Sequence, residues 1–190
     1  NLPIVILTKN DLILRDFDLL ARFPRALIIV TVTTTDPDKA RILEPGASPP
    51  KARLEVVRRA KEAGFFAGVM AMPFCPGITL ISEETKKVFE SSISAGADFV
   101  QPGGLTLRPG RQKDFFISEV VAAHYPELIP LYAELYGENR KSGFPLAGPS
   151  TWYSAEFDTA LRSLHIPQMI PHAIFRKILS PCDSLFTLFC

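Results

Sequence analysis

Four short, mostly apolar runs, the first of them rich in β-branched residues, constrain this chain more than any other feature. They are residues 2–7 (LPIVIL), 26–33 (ALIIVTVT), 65–72 (FFAGVMAM) and 98–101 (DFVQ). A strand that is apolar without alternation is buried on both faces, which is the habit of parallel sheets covered by helices. The segments between the runs suit those helices. Asn10 or Asp11 can cap a stretch in which Leu12, Leu14, Phe17, Leu19, Leu20 and Phe23 alternate with charges, as in an amphipathic helix. Pro37 suits the first turn of a short helix after Asp36. A helix is predicted over about 51–63, with Leu54, Val57 and Ala60 on one face and Gly64 as its left-handed cap. Residues 82–85 (SEET) have the form of a capping box opening a helix to about Ala95, where Gly96 ends it.

Strand and helix in this rhythm mean βαβ units with right-handed crossovers. The fold expected is α/β: parallel strands near 3–8, 26–34, 66–72 and 98–101, in sequential order, with helices on the outer face. No GxGxxG follows the first strand, which weighs against a dinucleotide-binding open sheet and leaves a (βα) barrel, here an incomplete TIM barrel. Leu105 to Arg108 extend the fourth strand in this reading. Residues 1–110 are assigned to the barrel, and 111–190 to a mostly helical and irregular C-terminal extension packed on it. That extension includes a Pro-, Gly- and aromatic-rich stretch at 143–153 and a helix from Ser154 to His165.

Composition removes several functions. Lysine and arginine number 21 against 20 acidic residues, so nucleic acid finds no electrostatic footprint in the net charge. No apolar run is long enough to span a bilayer and no charged-then-apolar leader opens the sequence, so the expectation is a soluble, cytoplasmic protein. The three cysteines, Cys75, Cys182 and Cys190, form no CxxC or CxxxCxxC, so they predict neither a disulfide framework nor a metal site. His124, His165 and His172 are scattered, and Gly-x-Ser-x-Gly, Walker and HExxH motifs do not occur. Tyr125, Tyr132, Tyr136, Trp152 and Tyr153 read as core or interface aromatics. A strand begins at once after Asn1, so the chain is expected to be part of something longer.

From residue 26 to 77 a series of small motifs stands in a definite order. The strand 27–33 (LIIVTVT) leads to Leu43-Glu44-Pro45-Gly46, Ser48-Pro49 and Arg53-Leu54-Glu55. Then follow Ala63-Gly64, Gly68-Val69-Met70, Met72-Pro73 and Pro76-Gly77. With Leu7-Thr8-Lys9 and Leu14-Arg15-Asp16 upstream, this order resembles the radical S-adenosylmethionine (SAM) superfamily, specifically its spore photoproduct lyase-like group. The resemblance runs from Pro3 to about Arg108. It implies a partial six-stranded (βα) barrel that binds SAM and a [4Fe-4S] cluster in its mouth. It also implies SAM cleavage to a 5′-deoxyadenosyl radical, fed by an electron donor, with the cluster held by CxxxCxxC after the first strand. That motif and two strands are absent here, so this chain alone is expected to assemble no cluster and to be inactive.

Lys9 stands at the carboxyl end of the first strand, the edge where β/α barrels gather their sites. Unaided, that position also fits a solvated lysine; the resemblance makes it the partner of the SAM carboxylate. Thr31, Thr33 and Thr35 alternate along one face, and the resemblance assigns Thr33 to the ribose hydroxyls. Met70, Met72 and Pro73 are the expected wall for adenine, or ordinary core. Arg108 is a candidate for substrate or SAM carboxylate. Glu44 and Arg53 read as an ion pair fixing the rim loop, with contact to ligand as the alternative. No catalytic side chain and no metal ligand is assigned, and the substrate stays open; DNA is one class, unsupported by charge. Two other functions compete: an ordinary β/α-barrel lyase or aldolase with Lys9 as Schiff-base nucleophile, and a non-catalytic binding module.

Overall fold

A computed structural model of the protein describes residues 3–23, 25–138, 140–146 and 164–178. Four parallel strands, β1 (Ile4–Thr8), β2 (Ala26–Thr31), β3 (Phe66–Phe74) and β4 (Val100–Gly104), form one sheet in sequential order. Thr8 stands beside Val30, Thr31 beside Met70, and Met70 beside Gln101. The predicted strands fall within a few residues of these bounds. β4 starts later than expected because Asp98 serves as a clamp: its carboxylate accepts from Lys61 Nζ at 2.7 Å and from the Ala67 amide at 2.8 Å. It also ends at Gly104, so Leu105 to Arg108 do not continue it.

Alternation sorts the side chains into two layers. On the outer face Ile28, Val30, Val32, Ala67, Val69 and Ala71 meet α3 (Pro50–Glu62) and α4 (Ser82–Ser94). Val56, Val57 and Ala60 of α3, and Thr85, Val88, Phe89 and Ser92 of α4, repeat at helical spacing and are buried. Gly64 and Gly96 take φ of +82° and +85° at the helix ends, as their places in the sequence required. The short α2 (Pro37–Leu43) starts as predicted, with the Asp36 side chain accepting from the Asp38 and Lys39 amides.

Three expectations give way. β1 is not buried on both faces: Val5 and Leu7 are each 57% exposed, because β1 pairs only with β2 and no described element covers its inner side. The helix expected after Asn10 is a 3-10 turn (Asp11–Asp16) followed by four residues of α1 (Phe17–Leu20). Asn10 does cap it, accepting from the Leu12 amide, but only Ile13 and Leu20 are buried, too small a stripe for a longer helix. Ser82 is the first residue of α4, not its cap, and no capping box forms. Glu84 is instead drawn to the end of β2, accepting from the Thr34 hydroxyl and the Thr35 amide.

Past β4 come α5 (Arg111–Phe115), a π-helical stretch (Phe116–Ala122), a 3-10 turn (Pro126–Leu128) and α6 (Ile129–Tyr136). Val121, Tyr132, Leu135 and Tyr136 pack with Cys75, Ile78, Leu105 and Leu107 in a core over the carboxyl ends of β3 and β4. The Tyr132 and Tyr136 hydroxyls tie it down by donating to the Pro76 and Leu105 carbonyls, at 3.0 and 2.9 Å. One helix departs from the outer-face rule: α7 (His172–Ile178) seats Ile174 and Ile178 against Leu27, Ile29 and Phe99 on the inner face. These residues lie in the lower half of the sheet, so α7 plugs the inner face from below. The helix expected over 154–165 lies, all but its end, outside the described residues, as do Trp152, Tyr153, Cys182 and Cys190.

Candidate functional site

The sheet delivers Lys9, Thr33 and Pro73 to one place, from three successive strands. Each follows or ends a strand on the carboxyl side, and all three line a cavity of about 160 Å³ with Leu43, Glu44, Cys75, Leu105 and Phe116. A second, more open cavity of about 270 Å³ is lined by Lys9, Asn10, Glu44, Pro45, Gly46 and Ala47. Lys9 and Glu44 belong to both and stand where the two adjoin. Leu105 and Phe116 form a shared wall with a third groove of about 560 Å³, which Leu107, Arg111, Gln112 and Phe115 complete.

The polar groups of the central cavity are few and specific. Thr33 is 2% exposed, and its hydroxyl is a buried oxygen without a hydrogen-bond partner. A buried hydroxyl left so costs about 1–3 kcal/mol, which a bound polar ligand would recover. Lys9 Nζ lies 2.9 Å from Glu44 Oε1 in an ion pair. Glu44 Oε2 accepts from Arg53 Nη1 at 2.6 Å, and the same nitrogen donates to the Thr31 carbonyl at 2.9 Å. Arg53 is fully buried, reaching the rim from α3 beneath it. Cys75 completes the wall as a thiol that burial pushes up to about 12, opposed by its hydrogen bond with Thr79.

The other predicted residues are placed apart. Met70 lies on the inner face but lower, packed partly against the Leu27, Ile29 and Phe99 cluster. Met72 is half-buried over Gly103, whose missing side chain leaves room for it. Arg108 is exposed, beyond β4 and against Gly143, and lines none of these three cavities. The sequence pointed to the Glu44–Arg53 pair as a rim clamp; that Lys9 joins it was not foreseen, since the contact spans 35 residues. Leu43, Leu105 and Phe116 carried no signal, being apolar residues in segments whose packing the pattern does not fix. Among the described residues, no group of three or more His, Cys, Asp or Glu side chains is placed to hold a metal ion. The described residues therefore do not fit an iron–sulfur cluster. No described helix is long and apolar enough to cross a membrane.

No family model matches the chain. In sequence it is similar to an uncharacterized protein of Mycobacterium tuberculosis, 34% identical over 137 residues that make up 70% of this chain and 40% of that protein. An uncharacterized protein of Acidianus two-tailed virus is 39% identical over 95 residues, 50% of this chain and 31% of its own length. The chain thus spans well under half the length of these relatives. In structure it is similar to a variant of spore photoproduct lyase with bound AdoMet and dinucleoside spore photoproduct, with a TM-score of 0.61 and 13% identity. A second variant of that lyase gives 0.60, and the match covers 88% of this chain and 51% of the lyase in both. At such identity the likeness speaks for the fold alone: four parallel strands with their crossover helices, arranged as in a partial radical SAM-type barrel.

Proposed function

We propose that this chain is the SAM-binding part of a radical SAM enzyme. The observation that carries the reading is the Thr33 hydroxyl, buried without a partner, in the same cavity as the Lys9 ammonium at the carboxyl ends of adjacent strands. Lys9 offers a point charge to the SAM carboxylate, and Thr33 a hydroxyl to the ribose. Pro73, with Leu105 and Phe116, offers an apolar wall to the adenine; Met70 and Met72 stand on neighbouring positions of the same strand. The likeness to a lyase solved with AdoMet bound supports the same ligand. A [4Fe-4S] cluster, were one held beside this cavity, would supply the electron that cleaves SAM to methionine and a 5′-deoxyadenosyl radical. The cluster ligands would come from outside the described residues, and an electron donor and an organic substrate complete the partners.

The aldolase reading is weaker. A Schiff-base lysine needs a desolvated amine, whereas the Lys9 side chain is 46% exposed and faces a carboxylate. Isothermal titration of SAM into the longer protein tests the proposal. Micromolar binding abolished by blocking this cavity supports it; no binding with the cluster loaded would reject it.

A further inference from the structure

We propose that Arg53 and Glu44 act together as a positioning pair for Lys9, so that anion recognition in the Thr33 cavity is set from the interior outward. The inference rests on the reading of that cavity as a SAM pocket, and it adds residues that contact no ligand in that reading.

A lysine at a strand end is a flexible four-carbon stem with much rotamer entropy to lose. With its side chain 46% exposed, Lys9 has room to wander into solvent. Glu44 removes that freedom, since its side chain is only 6% exposed and is held from behind by a guanidinium with no exposure at all. Arg53 Nη1 spends its two hydrogens on Glu44 Oε2 and on the Thr31 carbonyl. Thr31 lies two residues before Thr33 on the same chain segment. The chain of contacts Thr31–Arg53–Glu44–Lys9 therefore refers the ammonium to the backbone that carries the hydroxyl, fixing the distance between the two ligand-binding groups.

Charge supports the same role. Two cations share one carboxylate, so the cluster keeps one net positive charge at the cavity. A Lys9–Glu44 pair alone would be neutral and would offer an entering carboxylate nothing. The ion pair with Glu44 Oε1, at 2.9 Å, keeps the Lys9 ammonium at the cavity. A mere rim clamp would need neither Lys9 nor the excess charge.

The test uses Glu44→Asp and Arg53→Lys, both charge-conserving, in the full-length protein, with SAM and 5′-methylthioadenosine as probes; the second lacks the carboxylate but keeps the ribose and adenine. Far-ultraviolet circular dichroism confirms that each variant folds. Glu44→Asp, which keeps the charge and shortens the reach, should lower SAM affinity about tenfold and leave 5′-methylthioadenosine unchanged, and in a Lys9→Ala background it should have no further effect on SAM. Equal losses for both probes, or a loss that persists without Lys9, would overturn the positioning role while leaving the pocket intact. If neither probe binds the unaltered protein, the SAM reading fails, and the positioning role is then judged without ligand. Competitive acetylation of Lys9 should run at least threefold faster in both variants, and an unchanged rate would overturn it.

Discussion

At the scale of single residues, the cavity sets two binding groups of unequal strength side by side. Lys9→Ala removes a charged partner of the ligand carboxylate and should weaken SAM binding by about 1.5–3 kcal/mol, while Thr33→Val removes one neutral hydrogen bond and should cost about 0.5–1.5 kcal/mol. Calorimetric affinities left unchanged by both substitutions would empty the site of its proposed meaning. Cys75 gives a test by pH. Its folded thiol titrates near 12, above its ordinary 9.0, so between these values the unfolded chain has lost a proton that the folded chain keeps. Stability owed to the neutral thiol is present below pH 9.0 and declines toward pH 12, at about 1.4 kcal/mol per pH unit. Denaturant melts of Cys75→Ala should show that alkaline slope reduced by one proton, and an unaltered slope would mean the thiol titrates as an exposed one.

Among the elements, much of the structure is legible in the sequence alone. The four apolar runs gave the strands and their parallel order, and Gly64 and Gly96 marked the helix ends, because burial and positive φ are local demands that leave a residue signature. What the sequence could not disclose depends on neighbours. Residues 2–7 look like a central strand, yet β1 is an edge whose Val5 and Leu7 are 57% exposed, and nothing in the run itself says what lies beside it. Ser82 and Glu84 look like a cap, but Glu84 finds Thr34 and Thr35 across about fifty residues of chain. Lys9 and Thr33 stand at strand ends and were singled out by the family resemblance, whereas Phe116 entered the site through a π-helical turn. Gly68 shows the same dependence: a Cβ there would stand 2.2 Å from the Phe99 ring. Gly68→Ala must push that ring off the inner face and should destabilise the fold by about 1–3 kcal/mol by urea melting. A neutral result would place Phe99 elsewhere.

Among the described residues, α7 closes the bottom of the sheet's inner face, and α5 to α6 crowd over the top of β3 and β4 but not over β1. That asymmetry leaves Lys9 at an accessible edge and Thr33 under cover, as a ligand entering from the β1 side requires. It also bears on the cluster. Among the described residues Cys75 is the only cysteine, buried and paired with Thr79, so anaerobic reconstitution of the 190-residue chain should yield no stable four-iron protein. Brown protein with full iron stoichiometry, lost on mutating Cys75, Cys182 and Cys190, would reverse that expectation. The central claim is that the top of this sheet holds SAM, and a crystal structure of the longer, cluster-loaded protein with SAM tests it most directly. The account predicts ligand density in the cavity lined by Lys9, Thr33 and Pro73, with the carboxylate on Lys9 Nζ and a ribose hydroxyl on Thr33 Oγ1. SAM bound elsewhere, with Thr33 still without a partner, would contradict it.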